Sequence, residues 1–190
     1  MNIGLYFGSF NPIHIGHLAI ANYMVEFSDL NEIWFVVSPH NPLKNKNTLL
    51  NDYDRLEMVR LAINDFYKFK VSNVEFSLPQ PSYTVNTLAH LKEKYPDKTF
   101  NLIMGSDNLR HFHKWKNYER IIENHKLYVY PRKNETENQF SNHKNVVLIN
   151  APEMEISSTS IRDGIKNGKD LRFFLPEKVY QMIDKQGFYL

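Results

Sequence analysis

Two histidines three residues apart end the segment FGSFNPIHIGH, which spans residues 7–17. An α-helix advances 3.6 residues per turn, so a helix that begins near Pro12 places His14 and His17 on one face of its first turn. The unpaired amide groups at the start of a helix favour phosphate. The spacing therefore predicts a phosphate-binding turn. The alternative is a glycine-rich turn that carries two surface or core histidines.

The residues around the histidines suit a polyphosphate. Gly8 would let the backbone approach a ligand, the hydroxyl of Ser9 offers a hydrogen bond, and Gly16 leaves the space between the imidazoles open. The spacing differs from GxGxxG, which would indicate a dinucleotide cofactor, and from GxxxxGK(S/T), which would indicate a P-loop. We therefore expect a polyphosphate cradle of another kind.

A second segment, ISSTSIR at residues 156–162, places three hydroxyls before an arginine at the start of a predicted helix. Amides, hydroxyls and the guanidinium of Arg162 can converge there on the outer phosphates of a nucleotide. The alternative is an ordinary capped helix with a solvated Arg162.

Other polar segments give weaker indications of function. His111 and His113 in RHFHK have no third ligand nearby in the sequence, so we interpret them as part of a solvated loop rather than a metal site. We interpret the basic segments KNKN (44–47) and RKN (132–134) as surface charge. No metal site made of protein ligands is expected.

Short apolar runs alternate along the chain with stretches of helical periodicity. The apolar runs predict strands at 2–7, 32–39, 70–78, 99–107, 126–132 and 145–151. The periodic stretches predict helices at 12–27, 52–66, from Ser82 or Thr84 through Leu91, and at 117–125, 157–168 and 176–187. We expect the segment 133–143 to be the least ordered. This alternation implies right-handed βαβ crossovers and an α/β fold with a doubly wound, mostly parallel sheet.

Ligands of such sheets bind beyond the carboxyl ends of the strands, near the point where the strand order reverses. Four segments lie just beyond predicted strand ends: FGSFNPIHIGH, SPHNPLK, GSDN and SSTSIR. We therefore expect all four to meet at one edge of the sheet.

The bulk composition limits the possible classes of protein. The chain has 190 residues, of which 42% are hydrophobic, and this suits one domain over residues 1–190. A net charge of +2 gives no indication of polymeric nucleic acid or a membrane as partner. The absence of cysteine excludes disulfides, thiolate nucleophiles and Cys-based zinc sites. With no apolar run of roughly 20 residues and no signal peptide, a cytoplasmic protein is expected.

GSFNPIHIGHL together with ISSTSIR resembles the nucleotidyltransferases of the HIGH superfamily. Over essentially its whole length the chain is similar to the bacterial nicotinate-nucleotide adenylyltransferases. The more discriminating segments are SPHNPLK, PSYTVNTL and MGSDNLRHFHKWKNYERI. Phosphopantetheine adenylyltransferases share the histidine turn but lack the PSYT element and the GSD followed by KW. The chain departs from the family pattern at Ser9, where Thr is common, at Asn11, where Asp is common, and in HNPLK, where PPHK is usual.

The resemblance implies a Rossmann-like nucleotidyltransferase fold in three layers, with a C-terminal helical segment of about 156–190 completing the ATP site. It implies transfer of AMP from ATP to the phosphate of nicotinate mononucleotide, giving deamido-NAD and pyrophosphate in NAD biosynthesis. Two alternatives stay open, namely phosphopantetheine adenylyltransfer or a related cytidylyltransfer, and a non-enzymatic nucleotide-binding sensor. A homo-oligomer is also compatible with the sequence.

The acceptor phosphate has a second pKa of about 6, so it is largely a dianion at neutral pH and needs no general base. Catalysis must then come from positioning and charge stabilisation. By resemblance, His17 and Ser9 steady the α-phosphate, His14 and Arg162 hold the departing β and γ groups, and Lys44 bridges the two reacting phosphates. Mg²⁺ is expected on the pyrophosphate, bound mainly through ATP phosphates and water, because no acidic cluster offers a cage.

The resemblance also assigns the remaining binding residues. Gly105 and Asp107 meet adenosine, although GSD could be a simple turn. Trp115 stacks on the pyridine ring, although a core anchor is the alternative, and Thr84 with neighbouring amides meets the carboxylate. The expected ATP-binding set is Gly8, Ser9, Phe10, His14, His17, Gly105, Asp107, Ser157, Ser158, Thr159, Ile161 and Arg162. The expected acceptor-binding set is Asn11, Lys44, Thr84 and Trp115.

Overall fold

The computed structural model describes residues 1–39, 49–64, 66–133 and 139–190, which form one six-stranded sheet. Every neighbouring pair of strands is parallel, and the order is β3-β2-β1-β4-β5-β6. The strands are β1 (Asn2–Gly8), β2 (Glu32–Val37), β3 (Phe69–Ser72), β4 (Thr99–Gly105), β5 (Leu127–Tyr130) and β6 (Val146–Leu148). The predicted α/β fold with a doubly wound parallel sheet is confirmed.

Seven α-helices lie within the described part of the chain. They are α1 (Ile15–Glu26), α2 (Asp52–Ile63), α3 (Thr84–Lys94), α4 (Ser106–Arg110), α5 (Tyr118–Asn124), α6 (Ser158–Lys166) and α7 (Glu177–Gln186). Short 3₁₀ turns lie at Val74–Ser77, Phe112–Lys114 and Arg172–Phe174.

The central strands β1, β2, β4 and β5 are apolar on both faces, because helices cover both. In β2, Ile33, Phe35 and Val37 face one apolar cluster, to which α1, α2, α6 and α7 contribute. Trp34 and Val36 face the other cluster, to which α3 and α5 contribute. This period of two, with burial on both faces, is why the strands read as continuous apolar runs. The result is three layers, as the resemblance implied.

The order of the strands reverses at β1. The chain winds outward from β1 through β2 to β3, and then returns to β4 on the other side of β1. The carboxyl ends of β1 and β4 therefore flank the crevice in which sheets of this kind bind ligands.

Several predicted boundaries are wrong. Helix α1 begins at Ile15 rather than near Pro12, because the backbone of His14 is extended (φ −145°, ψ 171°). The predicted strand at 70–78 ends at Ser72, whose hydroxyl accepts from the Val74 amide at 3.3 Å and starts a 3₁₀ turn.

The fourth and sixth strands are also shorter than predicted. Strand β4 ends at Gly105, and the next five residues form α4, so Asp107 lies on a helix and not at a strand end. Strand β6 keeps only Val146–Leu148 of the predicted 145–151. It lies at the edge of the sheet and pairs on one side only, with β5.

Candidate active site

The imidazoles of His14 and His17 stack on each other at the carboxyl end of β1. Their ring centroids lie 3.7 Å apart and their planes differ by 29°. His14 is the last residue before α1, while His17 lies in the first turn of the helix. The expected meeting of the two rings is thus observed, although only one of them is on the helix.

The orientation of His17 is set by the backbone. The amide of His14 donates to Nδ1 of His17 at 3.3 Å. In a neutral imidazole the other nitrogen then carries the proton, so Nε2 of His17 is a hydrogen-bond donor. The edge contacts of its ring with Phe10 (5.2 Å) and Tyr6 (6.1 Å) restrict its rotation.

His14 is buried, with only 3% of its surface exposed. Burial, aided by the positive charge of Arg132, lowers the pKa of His14 to about 4. The ring is therefore neutral at physiological pH and interacts with phosphate through hydrogen bonding, not through a formal charge. Among the described residues, Nδ1 of His14 has no hydrogen-bond partner.

The glycines of the turn make room for side chains. A Cβ on Gly8 would lie 2.8 Å from the Phe10 ring, and a Cβ on Gly16 would lie 3.0 Å from Nδ1 of His14. Phe10 itself adopts a left-handed backbone (φ 45°) and is buried in the core. Both glycines therefore leave room for neighbouring rings: Gly16 for the imidazole of His14, as the spacing predicts, and Gly8 for the ring of Phe10.

Helix α6 attaches to the histidine turn from the far end of the chain. The Ser158 hydroxyl donates to the carbonyl of Pro12 at 2.9 Å, and Nη1 of Arg162 donates to the carbonyl of Asn11 at 2.8 Å. A second guanidinium nitrogen donates to Oγ1 of Thr159 at 3.3 Å. The structure thus brings the two predicted phosphate segments together.

Two residues of the ISSTSIR segment serve the helix itself. The hydroxyl of Ser157 accepts from the Ser160 amide at 3.0 Å and so caps α6. The side chain of Ile161 is buried in the apolar cluster, and its amide donates to the Ser157 carbonyl at 3.1 Å. Neither the side chain nor the amide of Ile161 therefore points to a ligand contact.

Asn11, expected to contact the acceptor, is 3% exposed and held by the protein. Its Oδ1 accepts from the Leu50 amide at 3.3 Å and from the Tyr189 hydroxyl at 2.9 Å. Lys44, the other basic residue expected near the reacting phosphates, lies outside the described residues.

A buried arginine that the sequence analysis missed supports the same region. Nη1 of Arg55, which is fully buried, donates to the carbonyls of Ser9 (2.5 Å) and Ser38 (2.9 Å), which follow β1 and β2. Its Nη2 pairs with Asp52 at 2.5 Å. Arg55 lies four residues before Val59, on the buried face of α2, and this position was the available signal.

The end of β4 borders a cleft of about 320 Å³, lined by Asp107, Pro131, Arg132, Lys133, Glu153, Met154 and Glu155. Asp107 lies in the first turn of α4, so the predicted neighbourhood of Gly105 and Asp107 is at the crevice.

Arg132, interpreted from sequence as surface charge, also lines the space around His14 and His17. Its guanidinium lies 5.3 Å from the centre of the Tyr130 ring. Its place at the carboxyl end of the predicted strand 126–132 was the signal, because carboxyl ends of parallel strands share one edge.

The segments expected to hold the acceptor base lie beside each other. Thr84 is the first residue of α3, and the residue before it is Tyr83. Nζ of Lys116 lies 4.4 Å from the centre of the Tyr83 ring, so the segment with Trp115 adjoins the start of α3. Trp115 is half-buried and contacts Phe112 at 5.4 Å between ring centroids. Helix α3 begins at Thr84, one of its two predicted starts, and the side chain of Tyr83 before it makes no capping hydrogen bond.

His111 and His113 are exposed. Within the residues that the structure describes, no three His, Asp or Glu side chains are grouped so that they could hold a metal ion. No helix in that part of the chain is long and apolar enough to cross a membrane.

The chain matches a family model and named proteins over most of its length. The family model described as cytidylyltransferase-like matches residues 5–164. A "probable nicotinate-nucleotide adenylyltransferase" of Flavobacterium psychrophilum is 61% identical over 191 aligned positions, covering 100% of this chain and 99% of that protein. The protein of the same name from Bacteroides fragilis is 50% identical over 183 positions, covering 96% of this chain and 91% of its own.

A solved structure has the same fold. The nicotinic acid mononucleotide adenylyltransferase of Plasmodium falciparum, complexed with NaAD, matches with a TM-score of 0.84 over 99% of this chain and 97% of that one. At 23% identity, this match speaks for the fold alone. The family model and the curated relatives carry the assignment: the chain belongs to the cytidylyltransferase-like family and to the family of nicotinate-nucleotide adenylyltransferases.

Proposed function

We propose that the chain is a nucleotidyltransferase that moves AMP from ATP to the phosphate of nicotinate mononucleotide, a step of NAD biosynthesis. The products are nicotinate adenine dinucleotide, which is deamido-NAD, and pyrophosphate. The observation that carries the proposal is the stacked pair of His14 and His17, to which α6 is bonded at the point where the strand order reverses. The names of the relatives support the same acceptor.

The reaction forms one P–O bond and breaks another. An oxygen of the acceptor phosphate attacks the α-phosphorus of ATP, and the bond to the β-phosphate oxygen breaks as pyrophosphate leaves. Since the nucleophile is already a dianion, the protein has to hold the groups in line and stabilise the charge that develops.

The phosphate-binding role of each residue follows from the hydrogen-bond donors that it offers. Nε2 of His17 carries a proton, so it can donate to the α-phosphate together with the Ser9 hydroxyl. Arg162 has five N–H donors and uses only part of them on Asn11 and Thr159, so the rest are available to the β- and γ-phosphates. His14 serves there as a neutral partner. Lys44 is proposed for the attacking phosphate.

Mg²⁺ would enter with ATP, bound mainly through phosphate oxygens and water. The cationic and imidazole groups around the crevice, together with the lack of an acidic triad among the residues described, suit a metal carried by the nucleotide. When bound, the ion neutralises charge on the departing pyrophosphate. The protein's share is to position that pyrophosphate through α6.

The acceptor base is proposed to lie between Trp115 and the start of α3. The free amides of this eleven-residue helix are hydrogen-bond donors, and they suit the carboxylate of nicotinate better than a carboxamide. The half-buried indole of Trp115 offers a face for the pyridine ring. We therefore expect nicotinate mononucleotide to be preferred over nicotinamide mononucleotide. Separately, we expect the reaction to occur in the cytoplasm.

The test is an acceptor comparison. The purified chain is incubated with ATP and Mg²⁺ and with nicotinate mononucleotide, nicotinamide mononucleotide or phosphopantetheine, and pyrophosphate and the dinucleotide are followed. Turnover is expected with nicotinate mononucleotide. Turnover with phosphopantetheine alone would favour the sister enzyme, and ATP binding by calorimetry without any product would favour a nucleotide sensor.

A further inference from the structure

The penultimate residue of the chain reaches the histidine turn. The hydroxyl of Tyr189 donates to Oδ1 of Asn11 at 2.9 Å, across 178 positions of sequence. Asn11 is 97% buried, since its exposed fraction is 3%. Because a buried amide oxygen that loses a partner is costly, this bond restricts how the Asn11 side chain lies.

Asn11 is also the residue that Arg162 holds. Its carbonyl accepts from Nη1 of Arg162 at 2.8 Å, and its Oδ1 accepts additionally from the Leu50 amide at 3.3 Å. Three separate parts of the chain therefore converge on one residue, which precedes His14 by three positions. The Oδ1 held by Tyr189 and the carbonyl held by Arg162 belong to the same residue, so a shift of the Asn11 backbone would move the carbonyl to which Arg162 is bonded.

The backbone around Tyr189 is adapted to this contact. Helix α7 ends at Gln186 and is capped by Gly187, whose φ is +64°, and Tyr189 itself has a φ of +69°. A residue other than glycine rarely adopts this left-handed conformation unless its surroundings hold it there. The ring of Tyr189 packs against the apolar cluster under α1 and α2, and this packing fixes the tail.

Burial favours a phenol that stays protonated. Burial raises the pKa of Tyr189 far above its ordinary value, although the nearby guanidiniums of Arg162 and Arg55 act in the opposite direction. The hydroxyl is therefore a donor at any physiological pH. In this chain the acceptor is the amide oxygen of Asn11. In a chain with aspartate at position 11, the acceptor would be a carboxylate oxygen.

We propose that Tyr189 is a positioning residue for adenylyl transfer, because it fixes Asn11 and, through Asn11, the place of Arg162 against the histidine turn. The inference rests on the proposed function for its kinetic readout. It does not make Tyr189 a contact of the substrate.

The experiment compares Tyr189→Phe with the control Tyr180→Phe in the full chain. Tyr180 lies on α7, and its ring pairs with the exposed Arg172. Removal of the Tyr189 hydroxyl is expected to lower kcat/KM for ATP by about tenfold, the loss typical of one positioning hydrogen bond. The KM for nicotinate mononucleotide should change less than twofold, and Tyr180→Phe should match the wild type in both.

A double-mutant cycle gives the second readout. Asn11→Ala, Tyr189→Phe and the combined variant are compared, and the two losses should not multiply, because both remove the same contact. Losses that multiply, or a wild-type kcat/KM for ATP in Tyr189→Phe, would overturn the proposal. So would a fall in melting temperature with unchanged kinetics, which is the result of a purely structural bond.

Calorimetry with a non-hydrolysable ATP analogue separates this inference from the choice of acceptor. Tyr189→Phe is expected to bind the analogue more weakly than the wild type and Tyr180→Phe. A wild type that binds the analogue but forms no dinucleotide would contradict the proposed acceptor alone, and the binding comparison would still decide the role of Tyr189. Equal affinity in all three proteins overturns that role.

Discussion

The imidazole of His14 lies flat against that of His17, with centroids 3.7 Å apart, and the amide of His14 donates to Nδ1 of its neighbour. This arrangement gives the two histidines different tasks. His17 presents a protonated Nε2, while the buried His14 stays neutral. A charged His14 would repel Arg132, whose charge already lowers its pKa.

The first prediction concerns His17. His17→Ala should lower kcat by about 10²-fold or more, because it removes a donor that acts mainly in the transition state. The melting temperature should change little, since the side chain is only half-buried. Steady-state kinetics and thermal unfolding are measured on this variant and on His90→Ala, a half-buried histidine of α3. Near-normal turnover in His17→Ala would show that its role is misassigned.

The second prediction concerns pH and His14. The pKa of His14 is about 4 in the folded chain and about 6.5 when unfolded, so between these values the unfolded chain binds more protons. The free energy of unfolding should therefore fall as pH decreases from about 6.5 to about 4, by at most about 3 kcal/mol from this residue. Urea denaturation at pH 7 and pH 4.5 measures the fall.

His14→Asn supplies the comparison, because it removes the titrating group. Its free energy of unfolding should depend less on pH in this window than that of the wild type. Parallel pH curves for the two proteins would mean that His14 titrates normally in the folded state.

The third prediction concerns Arg162. Arg162→Lys keeps the positive charge but loses the fork that bonds Asn11 and Thr159 together. We expect kcat/KM for ATP to fall by about 10- to 100-fold. Arg172→Lys is the matched control, because Arg172 is exposed and forms its ion pair with the nearby Asp170. Equal activity of both variants would show that charge alone suffices at Arg162.

The fourth prediction concerns stability. Arg55→Met leaves the carbonyls of Ser9 and Ser38 without their buried partner, and leaves Asp52 unpaired. The free energy of unfolding should decrease by about 3 kcal/mol or more. Arg60→Met is the control on the same helix, since the Arg60–Glu57 pair is exposed and worth about 0–1 kcal/mol. Equal losses in urea denaturation would contradict the role of Arg55.

Local pattern determined much of this protein. The alternation of apolar runs and helical periodicity was enough for a parallel α/β sheet, because parallel strands need crossovers and burial on both faces. Residue types and spacing also located the two phosphate segments, and the resemblance of GSFNPIHIGHL and ISSTSIR named the family. These features lie within short segments of the chain, so they can be interpreted without knowledge of the tertiary contacts.

Boundaries and partners depended on the tertiary structure. His14 lies before α1 because its backbone is extended, and Asp107 lies on a helix because β4 ends at Gly105. Gly8 and Gly16 accommodate rings that only folding brings near them.

The same holds for residues that the sequence analysis passed over. Arg132, Arg55 and Tyr189 looked ordinary in sequence, and their importance comes from contacts over 17 to 178 positions of chain, such as Arg55 to Ser38 and Tyr189 to Asn11. An arginine on a helix or a tyrosine near a terminus carries no local mark of its distant partner. Composition and period describe one element at a time, whereas these contacts exist only once β1, α2, α6 and the C-terminal tail are packed together.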